Sequence, residues 1–150
     1  MRARFFLGRA RLRLHDAAGA EQILRRAVEL PPESIESQLV GVTRLAQGKP
    51  KEAQPFFRAA IRAKPSLGEA WFNLAFRLAT TIDRPECIAS FREAIRLKPD
   101  LIDAYVGLAT VLRVGGQGQA AAQELALALT LDPSELQRQK ILAQMKLVQP

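Results

Sequence analysis

Apolar residues recur along most of this chain at the three- and four-residue spacing of amphipathic helices. The clearest case is the stretch 68–99, which is typical of two amphipathic helices joined by a turn and closed by Pro99. Similar pairs of patterns lie before and after it. Because helix-favouring residues are abundant and β-branched residues are few, the chain is predicted to be all-α and built from antiparallel helix pairs.

The helix pairs recur in a register of about 34 residues. With Gly68 as position 1, large apolar residues fall at positions 7 and 24, small residues at positions 8, 20 and 27, and proline at position 32. The small residues are Gly8, Ala20 and Ala27, then Gly41, Ala53 and Ala60, then Ala75, Cys87 and Ala94, and finally Ala109, Ala121 and Ala128. Helices that approach closely accept only small side chains at their contact, so these positions are predicted to face neighbouring helices.

This register resembles the tetratricopeptide repeat (TPR), a helix–turn–helix unit of 34 residues. The resemblance implies one domain over 1–150, folded as a right-handed α-solenoid. Its four repeats would span about 1–33, 34–67, 68–101 and 102–135, with a capping helix at about 134–148. The aromatic residue typical of position 4 is present only as Trp71 and Tyr105, so the first two repeats match less well.

Helix ends are marked by local signals. Gly48 is predicted to end the first helix of the second repeat, and Pro50 suits the first turn of the next helix. Ser66 with Glu69 has the spacing of a capping box for the first helix of the third repeat.

The last helix is predicted to close the solenoid, with Ser134 and Gln137 forming a capping box at its start. The apolar residues expected to cover the fourth repeat are Leu136, Ile141, Leu142 and Met145. The first repeat has no such cap, so its outer face is expected to meet solvent, another protomer or a preceding segment. Self-association through the first repeat is therefore an open possibility.

The net charge of +7 is concentrated at the N-terminus. Residues 1–15 carry five arginines and no acid, whereas the other 135 residues carry 17 basic and 15 acidic side chains. Bulk charge therefore argues only weakly for nucleic acid or a membrane surface as partner. The N-terminal segment lacks the long apolar core of a secretory signal, although a transit peptide remains an alternative to a folded repeat. Without a transmembrane run, a cytoplasmic location is expected.

No constellation of catalytic residues is visible. Cys87 lies at a position that must be small, so it is interpreted as a buried substitute for alanine. His15 is the one histidine, and no serine, cysteine or carboxylate arrangement surrounds it. The sequence therefore predicts no enzyme, no metal site and no cofactor.

In TPR proteins the first helices of the repeats line a concave groove that binds an extended peptide or a helix of a partner. The groove residues that the resemblance implies are Arg9, Arg13, Gln38, Val42, Phe72, Asn73, Phe76, Val106, Thr110 and Arg113. The groove would be apolar in its middle and basic at its N-terminal end, so the expected ligand is an apolar segment with acidic flanks. An alternative is that Phe72 and Phe76 only pack against the first helix of the next repeat.

The predicted function is thus that of a non-catalytic scaffold for protein–protein interaction. Two alternatives stay open. The chain could be the recognition portion of a larger polypeptide, for example one with a transferase domain. It could also bind nucleic acid through Arg2, Arg9 and Arg13, which share one helix face, although few stacking aromatics accompany them.

Overall fold

The computed structural model describes residues 34–79 and 84–148. Over these ranges the backbone forms seven α-helices and no strand. The helices are α1 (Ser34–Ala46), α2 (Pro50–Ala63), α3 (Gly68–Leu78), α4 (Arg84–Leu97), α5 (Ile102–Val114), α6 (Gly118–Thr130) and α7 (Glu135–Lys146). The predicted first repeat, with Arg9 and Arg13, lies outside the described residues.

The helices pack as three consecutive hairpins. Within the hairpins α1 pairs with α2, α3 with α4, and α5 with α6. The second helix of each of the first two hairpins also contacts the first helix of the next, and α7 packs on both α5 and α6. The predicted all-α solenoid of helical repeats is confirmed. None of the described helices has the length and apolar character needed to cross a membrane.

The small residues of the repeat register lie at the helix contacts, as predicted. Those at positions 20 and 27 are wholly buried, namely Ala53, Ala60, Cys87, Ala94, Ala121 and Ala128. At position 8, Ala75 and Ala109 are buried as well, and a Cβ built on Gly41 would come within 2.5 Å of the Phe57 ring. Such a contact leaves no room for a larger residue, so glycine here serves close helix packing.

One predicted capping box is wrong. Leu67, not Ser66, precedes the first helical residue of α3, and its side chain makes no cap hydrogen bond. Glu69 is therefore only the second residue of the helix, and its carboxylate accepts a hydrogen bond from Lys98 Nζ at 2.6 Å. The carboxylate is drawn to the end of α4 and not back to its own helix start. In contrast, Gly48 (φ 70°) does follow α1 and Pro50 does begin α2.

The helix α7 begins as predicted but covers the fourth repeat only in part. Ser134 Oγ accepts from the Gln137 N–H, and the Gln137 side chain accepts from the Ser134 N–H, which completes the capping box. Ile141 is buried, yet Leu136 is 63% exposed and Leu142 is 45% exposed. The prediction for these two leucines is wrong, because only one side of α7 touches α5 and α6.

Candidate partner-binding groove

The groove residues that the structure describes come from the first helices of three hairpins. Gln38 and Val42 lie one turn apart on α1, as do Phe72 and Phe76 on α3. Val106 and Thr110 repeat this spacing on α5. Val42, Phe72 and Val106 are half-buried and pack against the core. Positions 5 and 9 of the first helices of three successive hairpins thus supply the candidate groove residues.

Phe72 and Phe76 differ in their surroundings. Their ring centroids are 6.3 Å apart, and Phe72 also meets the ring of Phe91 edge-on at 6.1 Å. Phe91 is buried, whereas Phe76 is 56% exposed. Phe72 thus packs against α4, the second helix of its own repeat, while the ring of Phe76 is open to solvent.

The polar candidate residues come from the same three helices. Asn73 and Gln38 are half-buried, and neither side chain forms a hydrogen bond within the described part of the chain. The Thr110 hydroxyl donates to the Val106 carbonyl at 2.8 Å. Arg113 Nε is buried and has no acceptor among the described residues. A buried donor without an acceptor lowers stability by ~1–3 kcal/mol.

The acid at one edge of the lining is neutralised. Burial raises the pKa of Glu69, but the hydrogen bond from Lys98, a backbone hydrogen bond and the charges of Lys98 and Lys64 together outweigh it, so this pKa lies below its usual value. The same bond raises the pKa of Lys98. Glu69 is thus paired and contributes little free negative charge to the groove.

Two hydrogen bonds that tie the repeats together were missed by the sequence analysis. Trp71 Nε1 donates to the Pro65 carbonyl at 2.9 Å, and Tyr105 Oη donates to the Pro99 carbonyl at 3.1 Å. In both cases an aromatic residue at position 4 bonds to the proline at position 32 of the preceding repeat. The fixed separation of six residues between the proline and the following aromatic residue was the signal in the sequence that could have indicated these hydrogen bonds.

The side chains most suited to chemistry are occupied in packing. Cys87 is wholly buried and its thiol donates to the Ala75 carbonyl at 3.3 Å, which confirms its interpretation as a small packed residue. Nowhere in 34–79 and 84–148 do three His, Cys, Asp or Glu side chains gather closely enough to hold a metal ion.

The family follows from the repeat register together with a direct match. A family model described as "Tetratricopeptide repeat" matches residues 1–35 and 41–75, and the described hairpins continue the same register to the end of α6. The chain is a tetratricopeptide repeat protein. No curated protein matches this TPR sequence.

Solved structures share the TPR fold over most of the chain. YrrB, described as a TPR protein with an unusual peptide-binding site, is 18% identical with a TM-score of 0.82, covering 96% of this chain and 73% of its own. MamA from Desulfovibrio magneticus RS-1 (41-end) is 20% identical with a TM-score of 0.77, covering 88% and 75%. The TPR2B domain of yeast Sti1, in complex with pHsp70, is 23% identical with a TM-score of 0.71, covering 77% and 94%.

Proposed function

We propose that this TPR protein is a non-catalytic scaffold or adaptor that binds a peptide or helix of a partner protein in its groove. TPR proteins are generally interaction modules, and two of the similar structures are described with a peptide-binding site or in a complex. The observation that carries the proposal is Phe76, a large aromatic side chain 56% exposed beside the supported ring of Phe72. Fully burying a phenylalanine side chain contributes ~1.5–3 kcal/mol, so covering the exposed 56% of Phe76 would contribute roughly half of that.

The polar candidate residues Asn73 and Arg113 indicate the chemistry of the ligand. An amide such as Asn73 can both donate to and accept from a peptide backbone. Arg113 prefers a carboxylate, because charge-assisted hydrogen bonds to guanidinium are stronger than neutral ones. An apolar segment followed by an acidic residue meets both requirements. Arg9 and Arg13, predicted at the other end, would favour a second acidic flank.

The test compares two single substitutions of exposed apolar residues. Phe76→Ala removes the proposed ligand contact, whereas Leu127→Ala removes a similarly exposed side chain (52%) from a second helix, α6. Phe72 is left intact because its contact with Phe91 makes it part of the packing. Circular dichroism melting should show both variants folded.

Affinity capture from nuclease-treated native lysate, quantified by mass spectrometry, then measures which proteins the wild type and the two variants retain. We expect the wild type and Leu127→Ala to retain the same proteins, and Phe76→Ala to lose them by about tenfold, equivalent to ~1.4 kcal/mol. Identical protein sets for all three would show that the function does not depend on the groove.

A further inference from the structure

The second helices α2 and α4 carry arginines at the same two register positions. Arg58 and Arg62 are at positions 25 and 29 of α2, and Arg92 and Arg96 are at these positions of α4. Residues four apart lie on one face of a helix, one turn from each other. In α6 the same positions hold an alanine and a threonine. We call the four arginine side chains of α2 and α4 the arginine face.

Two members of the arginine face are paired with acids. Arg58 reaches from α2 to the next second helix and donates to Glu86 of α4 at 2.8 Å. Arg96 donates to both carboxylate oxygens of Glu93, at 2.7 and 2.9 Å. These two guanidinium groups are therefore held in place by the protein itself.

The other two members are available to acceptors from outside. Arg62 and Arg92 are exposed, and neither forms a hydrogen bond or an ion pair with a described residue. Position 19 of the following second helix is an acid in α4 but is Ala120 in α6, so Arg92 has no counterpart there. Burial raises the pKa of Glu124 on α6, and the charge of Arg92 offsets part of this rise, but no hydrogen bond joins the two side chains.

The residues between the arginines are small. Ala63 on α2 and Ala89 on α4 are exposed, and Ala59 on α2 is half-buried. Small side chains allow a further helix to approach closely. Of the large apolar side chains that are exposed in the described residues, none lies on α2 or α4. A membrane-bound helix needs such an apolar face, so a lipid surface is a poor ligand here.

The charge around α2 is positive. Residues 49–64 carry five basic side chains and one acid. That acid, Glu52, lies 3.6 Å from the guanidinium of Arg44 on α1. The remaining bases therefore favour an acidic partner, because complementary charge attracts and orients a ligand.

The acids on α4 limit which acidic partner fits. Glu86 and Glu93 are interleaved with the arginines. A nucleic acid carries a phosphate at every nucleotide and would bring some of them next to these acids. A protein can instead place carboxylates opposite Arg62 and Arg92 and neutral residues opposite the acids.

From these observations we propose that the arginine face of α2 and α4 binds the acidic face of a helix supplied by a partner protein. Carboxylates of that helix pair with Arg62 and Arg92, since charge-assisted hydrogen bonds to guanidinium are stronger than neutral ones. Its small residues lie against the alanines between the arginines. The site is on second helices and is separate from the groove around Phe76, which is on a first helix.

The chain itself is a poor source of such a helix. Acids on one helix face recur at i, i+4, i+7 and i+11. Three acids fit this spacing once in the 150 residues, as Glu29, Glu33 and Glu36, but Pro31 and Pro32 lie between them and a helix interior does not accommodate proline. Further repeats would not cover the arginine face either, because each repeat of a solenoid stacks only on its neighbours.

The direct probe is an alanine-based peptide of about 18 residues with glutamates at i, i+4, i+7 and i+11, a length at which an isolated helix forms. Its control is an isomer of the same composition with the glutamates spread around the helix. In titrations of the ¹⁵N-labelled chain, we expect saturable amide shifts centred on Arg62 and Arg92, and binding of the isomer weaker by about fivefold. Equal binding of the two peptides, or shifts outside α2 and α4, would overturn the proposal.

Paired substitutions separate the site from net charge. Arg62→Gln with Arg92→Gln should weaken binding of the one-faced peptide by about fivefold or more. Arg138→Gln with Lys140→Gln removes two charges from exposed positions on α7 and should change binding by less than about twofold, as should Phe76→Ala. Equal weakening by the two charge-removing pairs would show that only the net charge of the chain matters, which contradicts a site on α2 and α4.

A short DNA duplex and vesicles containing phosphatidylserine test the phosphate ligands. We expect the substitutions at Arg62 and Arg92 to weaken binding of the peptide more than binding of the duplex or the vesicles. The reverse order would make the arginine face a phosphate site and overturn the assignment to a protein helix. Sedimentation tests a second copy as the occupant, since a wild-type dimer that these two substitutions dissociate would also overturn the assignment.

Discussion

At the scale of single residues, the solenoid depends on side chains that are small where two helices meet. Ala94 is wholly buried in α4. The large ring of Phe91, three residues earlier on the same helix, is buried as well. The distance between neighbouring helices follows from the size of such residues, because protein interiors are packed without spare volume. The sensitive positions are therefore the alanines and not only the large apolar residues.

Ala94→Leu is expected to lower the free energy of unfolding by ~1–3 kcal/mol through overpacking. Ala89→Leu provides the control, since Ala89 is exposed on the same helix and should shift stability by less than ~0.5 kcal/mol. Urea unfolding followed by circular dichroism measures both. Equal effects from the two substitutions would mean that the α4 contacts are looser than described.

Two glutamates should give opposite dependences of stability on pH. Burial raises the pKa of Glu69, but Lys98, a backbone hydrogen bond and the charge of Lys64 together bring it below its usual value. Its contribution to stability is present above the unfolded-state pKa, near 4.5, and disappears as pH falls through the lower folded-state pKa. Burial raises the pKa of Glu124, and Arg92 offsets this only partly. Ionised Glu124 therefore destabilises the fold, and this penalty disappears as pH falls toward 4.5.

Melting temperatures of two isosteric variants test these signs. Glu69→Gln should lower the melting temperature at pH 7, and the difference from wild type should vanish well below pH 4.5. Glu124→Gln should raise it at pH 7, with a gain that shrinks as pH approaches 4.5. Changes of the same sign in both variants at pH 7 would refute the assignment of opposite environments.

At the scale of helices, the two serines predicted to cap differ in a testable way. Ser134 caps α7 through a reciprocal pair with Gln137, whereas α3 begins after Leu67 without any side-chain cap. Ser134→Ala should therefore weaken α7 by ~1 kcal/mol, whereas Ser66→Ala should have almost no effect. Hydrogen exchange of the α7 and α3 amides measures each helix separately. If Ser66→Ala accelerated exchange in α3 more than Ser134→Ala accelerates it in α7, this would contradict the observed caps.

Helix positions could be predicted from sequence because they depend on neighbours within one turn. Gly48 and Pro50 marked their turn correctly. Gly48 adopts the left-handed backbone conformation that ends a helix, and Pro50 has no N–H and therefore suits the first turn of the next helix. The capping box predicted at Ser66 and Glu69 fails because of a contact with a residue far away in the sequence. Glu69 pairs with Lys98, which is 29 residues away, and a signal of one helical turn cannot include it.

At the scale of the whole molecule, the repeat register predicted which faces of the helices meet, since each unit buries its apolar side only against its neighbours. The same register did not predict the exposure of Leu136 and Leu142. A hydrophobic pattern indicates that a helix face is buried but does not identify the element that buries it. On α7, the side next to α5 and α6 is satisfied by Ile141 and Met145, and the remaining leucines lie beyond the reach of those helices.

The sequence names candidate groove residues but does not divide their roles. Phe72 and Phe76 look equivalent as two phenylalanines one turn apart. The difference between them comes from Phe91, which lies on another helix and meets the ring of Phe72 edge-on. Distinguishing a supporting side chain from an available one requires the neighbouring element to be in place.

Phe91 also connects the groove with the shape of the solenoid. Its ring stands where a Cβ on Gly107 would lie, with 2.5 Å between them, and its other neighbour is Phe72 in the groove wall. One buried ring thus contacts both the first helix of the fourth repeat and the candidate groove residue Phe72. A change in the packing of Phe91 is therefore expected to alter the spacing of these two repeats and the position of Phe72 together.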